Sequence, residues 1–178
     1  MYFWCWKKTV KMEKLTQPNV QKMPVHEAID SIVSEYHSYF RNSLPAIATI
    51  LSAVAKIDDK VVSDLDKINA YFIEFKILME QHISKEKFIL FPAIQKLSLT
   101  DELSFIATEY KKVYHRVWND IDIISTLLKR INSLTNNYNS SAIASPSLRQ
   151  CYLDMRMLEK NCLRYFEMEK KYLSAILA

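Results

Sequence analysis

The sequence predicts an all-α protein, an antiparallel up-down-up-down four-helix bundle, and three observations carry that expectation. No glycine occurs in 178 residues, where ordinary usage of about 7% would supply roughly a dozen. Past Pro24 the apolar residues fall into four runs whose steps alternate between three and four, the period of a helix with one buried face. No run alternates with period two for long enough to make a strand. The missing glycines also exclude chemistry. Dinucleotide-binding turns, phosphate-cradling loops and nucleophile elbows all need backbone freedom that glycine supplies without a steric cost.

The first run, about 25 to 56, puts Ile29, Val33, His37, Phe40, Leu44, Ile47, Leu51 and Val54 on one face. Pro45 lies inside it and removes one backbone bond, so a kink is expected there. The second, about 61 to 96, reads Leu65, Ile68, Phe72, Phe75, Met79, His82, Glu86, Ile89 and Ala93, with Pro92 near its end. The third, about 101 to 134, follows Thr100-Asp101 and reads Leu103, Ile106, Tyr110, Val113 or Tyr114, Val117, Ile121, Ile124, Leu128 and Ile131. It stops in the polar stretch from Thr135 to Ser141, which must close without a glycine cap. The fourth, about 146 to 177, opens on the helix-start pair Ser145-Pro146 and carries Cys151, Met155, Leu158, Cys162, Tyr165, Glu169, Tyr172 and Ile176. The short first two connections favour antiparallel neighbours.

The chain holds 24 basic and 20 acidic residues, and its net +4 is unevenly placed. Lys7, Lys8, Lys11, Lys14 and Lys22 oppose only Glu13 in residues 1–22, leaving 19 basic and 19 acidic side chains in the remainder. A nucleic-acid-binding domain should show a basic face on its folded body, so no nucleic-acid partner is expected from this neutral one. Residues 1–23 read as a flexible basic and aromatic tail, and 24–178 as the bundle. The aromatic start, Tyr2-Phe3-Trp4-Cys5-Trp6, is too short to span a bilayer and could make only a weak membrane contact. Three cysteines, Cys5, Cys151 and Cys162, show no CxxC spacing and suit a reducing compartment, which points to the cytoplasm. Cys162 reads as a small core residue.

The informative residues are those out of place. His37, His82, Glu86 and Glu169 occupy in-phase positions on apolar stripes, where an unpaired carboxylate must be protonated, paired or bound to a metal. His82 and Glu86 stand at i and i+4 and project into one layer, and Tyr165 and Glu169 repeat that spacing on the fourth run. His37 and Ile121 would complete a four-sided layer. Carboxylates and imidazoles projecting inward from bundle helices are how non-haem di-iron and di-manganese sites are built. His115 lies about 130° from the centre of the third stripe and is expected to face solvent. His26, three turns from His37, is expected to cap the helix or bond within the core.

Tyr36-His37-Ser38-Tyr39-Phe40-Arg41-Asn42-Ser43-Leu44-Pro45, Glu80-Gln81-His82-Ile83-Ser84-Lys85-Glu86, Ile89-Leu90-Phe91-Pro92 and Leu134-Thr135-Asn136-Asn137-Tyr138 resemble hemerythrin-like (HHE cation-binding) proteins, nearest to the iron-centre repair di-iron branch. The resemblance covers about 25 to 178. It implies an antiparallel four-helix bundle holding two irons through four histidines and two bridging glutamates. It further implies a role in iron–sulfur repair or in nitrosative and oxidative stress, with binding, sensing or repair favoured over turnover. His37, His82 and Glu86 match ligand positions and Glu169 matches the second bridging carboxylate. Ile121 and Tyr165 stand where the family has histidines, and Leu173-Ser174-Ala175 replaces a second Leu-Phe-Pro. The expected site is therefore His37, His82, Glu86 and Glu169 with Tyr165 as a further ligand, binding one or two iron ions, with manganese or zinc as alternatives. An iron–sulfur protein is the expected protein partner. The competing expectation is a metal-free descendant acting as an interaction or regulatory module, its core histidines and glutamates paired with one another.

Overall fold

The computed structural model describes residues 23–57, 64–97, 103–141, 143 and 145–177, without the side chains of 56, 57, 103–111 and 173–177. Among the described residues it is all-helical, with four long helices and no strand. The first runs from Val25–Ser31 through a π-helical stretch, Ile32–His37, into Ser38–Ile57. The second runs from Leu65–Lys85 through another, Glu86–Leu90, into Phe91–Leu97. The third and fourth, Leu103–Leu134 and Pro146–Leu177, are uninterrupted α-helices. The basic tail and the Thr100-Asp101 start lie outside the described residues, as do the side chains of Leu103, Ile106, Tyr110 and Ile176. No described helix is long and apolar enough to cross a membrane.

Each helix packs on the next, and the fourth packs back on the first. Val25–Ser31, at the start of the first, meets Phe91–Leu97, at the end of the second. Late on the fourth, the Tyr172 hydroxyl donates to the Val25 carbonyl at 3.4 Å. Phe40, Leu44, Ile47, Ile68, Phe72, Phe75, Ile124, Leu128, Met155 and Leu158 fill the space between, all buried. A fully buried side chain of this kind contributes about 1.5–3 kcal/mol, so the stripes, more than helix propensity, hold the helices together.

The stripes are right in outline and slip in two places. Ile89, expected inside, is 50% exposed, while Leu90 and Ile94 are buried. Val33 is half-buried, while Ile32 and Tyr36 take the core. Both slips fall at the π turns. A π turn holds an extra residue per turn, so a phase counted at a constant 3.6 residues runs one position out across it. Pro45 is accommodated inside the helix, with the Thr49 hydroxyl donating to its carbonyl at 2.8 Å. Pro92 lies two residues past the end of the second π turn, where the backbone ladder is already rearranged near the N–H it lacks.

The third helix ends without glycine by using asparagine. Asn137 N–H donates to Asn132 O at 2.8 Å and Asn136 N–H to Ser133 O at 3.1 Å, the paired bonds of a left-handed helix cap. Asn136, Asn137 and Tyr138 have φ of 47°, 58° and 56°. Asparagine tolerates that region, but at Tyr138 it costs about 1–2 kcal/mol. The Thr135 hydroxyl accepts from Tyr138 N–H at 3.1 Å and burial of the Tyr138 ring holds the turn. Ser145-Pro146 starts the fourth helix as expected, with Ser145 Oγ accepting from Leu148 N–H at 3.4 Å.

Candidate metal centre

The two π turns converge on one buried cluster. His37 is the last residue of the first and Glu86 the first residue of the second. The wide turn lets the consecutive side chains of Tyr36 and His37 both be buried. One turn before Glu86, His82 points into the same space, and the regular fourth helix adds Tyr165 and Glu169 at i and i+4. All five expected residues are buried and brought together.

Glu86 is the hub. Its Oε2 accepts from the Tyr165 hydroxyl, lies 2.9 Å from His37 Nε2 and 3.7 Å from His82 Nε2. His37 Nε2 is also 3.1 Å from the Tyr165 oxygen. His82 Nε2 is 3.3 Å from Glu169 Oε2, close enough for attraction but outside hydrogen-bond alignment. Tyr165 is walled by aromatic rings, stacked on Tyr36 at 5.1 Å between centroids and tilted against Phe40 at 5.4 Å. His82, Glu86 and Glu169 each offer a ligand atom, and these three atoms lie within 4.8 Å of one another.

The cluster is short of hydrogen-bond partners. Glu86 Oε1, both Glu169 oxygens, both His82 nitrogens and His37 Nδ1 are buried and unpartnered, and each such group costs about 1–3 kcal/mol. Two carboxylate charges whose ligand oxygens lie within 4.8 Å of one another repel by roughly 3 kcal/mol or more even at an effective dielectric of 20. The protonation states register that strain. Burial, followed by the charge of Glu86, pushes Glu169 up to about 7 against the opposing pull of His82. Burial alone would lower His82, but Glu86 and Glu169 outweigh it and raise the imidazole to about 10. Burial, then Glu86, holds the Tyr165 phenol protonated well above its usual range. A divalent cation would replace the protons on Glu169 and His82, and mixed carboxylate and imidazole donors suit iron, manganese or zinc.

One partner was not legible as a site residue. Asp120, next to the buried Ile121, sets Oδ2 3.9 Å from His82 Nδ1 and is gripped by Lys85 Nζ at 2.7 and 2.9 Å. At that distance Asp120 acts on His82 through its charge and not through a hydrogen bond. The only signal in the sequence is a charge flanking a core position. Ile121 closes the layer as an apolar residue, and His115 is exposed as expected. His26 departs from expectation. Its side chain is 70% exposed, 3.9 Å from Glu27, and the helix start carries no side-chain cap. The intervening turns simply leave it on the solvent side. Cys162 is buried, and burial raises its thiol well above the reactive range.

No family model matches the chain. It is 28% identical over 154 residues to a probable iron-sulfur cluster repair protein of Haemophilus influenzae, a match covering 83% of this chain and 62% of that protein. It is 23% identical over 155 residues to the iron-sulfur cluster repair protein ScdA of Staphylococcus epidermidis, covering 87% of this chain and 67% of that one. The chain thus spans about two thirds of the length of these curated relatives. An all-helical protein with a buried His/Glu cluster is distantly similar to proteins named for iron–sulfur cluster repair.

Proposed function

We propose that residues 24–178 form a hemerythrin-like, antiparallel up-down-up-down bundle that binds a metal ion, iron first and manganese or zinc as alternatives, within the cluster of His37, His82, Glu86, Glu169 and Tyr165. One observation carries the reading: two buried carboxylates and a buried imidazole converge with their ligand atoms within 4.8 Å and most of their lone pairs unclaimed. A bound cation removes both the repulsion and the missing bonds. The order of contacts supports the antiparallel arrangement, since the start of the first helix lies against the ends of the second and fourth.

The cellular role follows from the relatives' names. The chain works in the cytoplasm in iron–sulfur repair or in the response to nitrosative or oxidative stress, with an iron–sulfur protein as its partner. Iron in such a site supplies redox and ligand-exchange chemistry. The protein's own residues bind and orient it: Asp120 sets a negative charge 3.9 Å behind His82 Nδ1, Tyr165 and His37 hold Glu86, and the aromatic wall excludes water. Purified protein expressed with added iron should contain iron, manganese or zinc by inductively coupled plasma mass spectrometry; less than about a tenth of a metal per chain overturns the reading.

A metal-free interaction module is the second reading, favoured by the bonds that Glu86 already makes to Tyr165 and His37. It predicts no rise in melting temperature on adding ferrous iron or manganese, whereas site binding predicts a concentration-dependent rise.

A further inference from the structure

The cluster is two-sided. On one side, Glu86 Oε2, Tyr165 and His37 form a closed set of contacts at hydrogen-bonding distance. The Tyr165 hydroxyl has a single proton, and it goes to Glu86. His37 Nε2 lies 2.9 Å from the same carboxylate oxygen and 3.1 Å from the Tyr165 oxygen, so that nitrogen is already engaged by protein groups. The rest of the cluster holds the atoms without a hydrogen-bond partner: Glu86 Oε1, both Glu169 oxygens and His82 Nε2, the last 3.3 Å from Glu169 Oε2 and 3.7 Å from Glu86 Oε2. The third helix puts Ile121 at this level, and isoleucine offers no donor.

Two ions would need donors on both sides, and one side is occupied by hydrogen bonds between protein groups. Resting on the metal-binding reading above, we infer that the centre takes one ion, ligated by His82, Glu169 and the free oxygen of Glu86, and that His37 and Tyr165 are positioning residues that grip Glu86 by its other oxygen. Tyr165 then remains a neutral phenol pointing its proton at Glu86. Tyr165 and His37 together form a clamp on Glu86. Its work is geometric, aiming Oε1 of Glu86 at the ion.

The full-length chain is loaded with excess ferrous iron, desalted and oxidised, then measured for iron per chain and for visible absorption. The expected result is about one iron per chain and no phenolate-to-ferric charge-transfer band. Tyr165→Phe should keep about one iron and the same spectrum, while binding about tenfold more weakly because Glu86 loses half its grip. Two irons per chain, or a visible band that disappears in Tyr165→Phe, overturn this inference and leave metal binding standing. No uptake of iron, manganese or zinc overturns both. Stoichiometry and spectrum of the unaltered protein decide the question even if the variant folds poorly.

Discussion

In the first two helices the backbone widens to a π turn where it meets the buried cluster, ending at His37 in one and beginning at Glu86 in the other; the last two helices pass the same level as unbroken α-helix. The widened pair supplies His37, His82 and Glu86. The regular pair supplies Tyr165, Glu169 and the apolar Ile121. π turns cost hydrogen-bond quality and persist mostly at functional sites, so the half that bears the irregular backbone is the half whose side chains must be aimed. The regular half tolerates a phenol and an isoleucine because ordinary packing suffices to place them.

Matched deletions would break that comparison most severely. Ile89 lies in the second π turn and Ile123 in the unbroken third helix, and they are 50% and 52% exposed. Deleting Ile123 rotates everything beyond it by about 100° and turns Ile124, Leu128 and Ile131 out of the core, a loss on the scale of a whole domain's stability of about 5–15 kcal/mol. No cooperative melt is expected by circular dichroism. Deleting Ile89 removes the extra residue and lets the wide turn close to α, so Leu90 and Ile94 keep their phase. That variant should fold and melt cooperatively but lose metal as Glu86 shifts. Equal damage from the two deletions would show that the π turn is no register device.

Glu86→Ala comes next. In the metal-free protein it strips Tyr165 and His37 of their acceptor and His82 of a counter-charge, at a cost of about 3–5 kcal/mol for a broken buried pair. With a metal site, the metal content should also fall to background; unchanged metal content would move the centre elsewhere. Asp120→Asn is gentler. It leaves the core intact but removes the negative charge 3.9 Å behind His82 Nδ1, so affinity should drop by up to about tenfold with little change in metal-free melting. Calorimetric titration with manganese gives the number, and an unchanged affinity would reduce Asp120 to a surface partner of Lys85.

The same contrast explains what could be read in advance. The fourth helix was legible from Ser145-Pro146 onward, because capping chemistry and a constant period suffice for a regular helix. Tyr165 and Glu169 fell where their i, i+4 spacing put them. Around Glu86 the reading slipped, since apolar periodicity assumes 3.6 residues per turn and nothing in Glu86-Lys87-Phe88-Ile89-Leu90 announces a wider one. Asp120 escaped for another reason. It flanks the stripe instead of sitting on it, and only the packing of the third helix on the second brings it behind His82.

The smallest effect separates a buried carboxylate that the cluster uses from one that it does not. Asp154, on the same regular helix as Glu169, is also buried, but its Oδ1 accepts from Gln150 Nε2 at 2.9 Å. Burial raises its pKa above the usual aspartate range, with the Gln150 bond opposing. The folded state therefore holds the proton more tightly than the unfolded state, so folding is favoured at acid pH and that benefit is lost as pH rises from the unfolded toward the folded pKa. Asp154→Asn keeps the shape and removes the charge. It should raise the melting temperature slightly at pH 7, by less than about 1 kcal/mol in stability, and flatten the pH dependence in the acid range while leaving metal content untouched. Glu169→Gln makes the same chemical change where the oxygens have no protein partner, and should abolish metal binding. If both substitutions merely stabilise the protein, the cluster is an inherited core network, and the asymmetry between the two halves of the chain has no ion to serve.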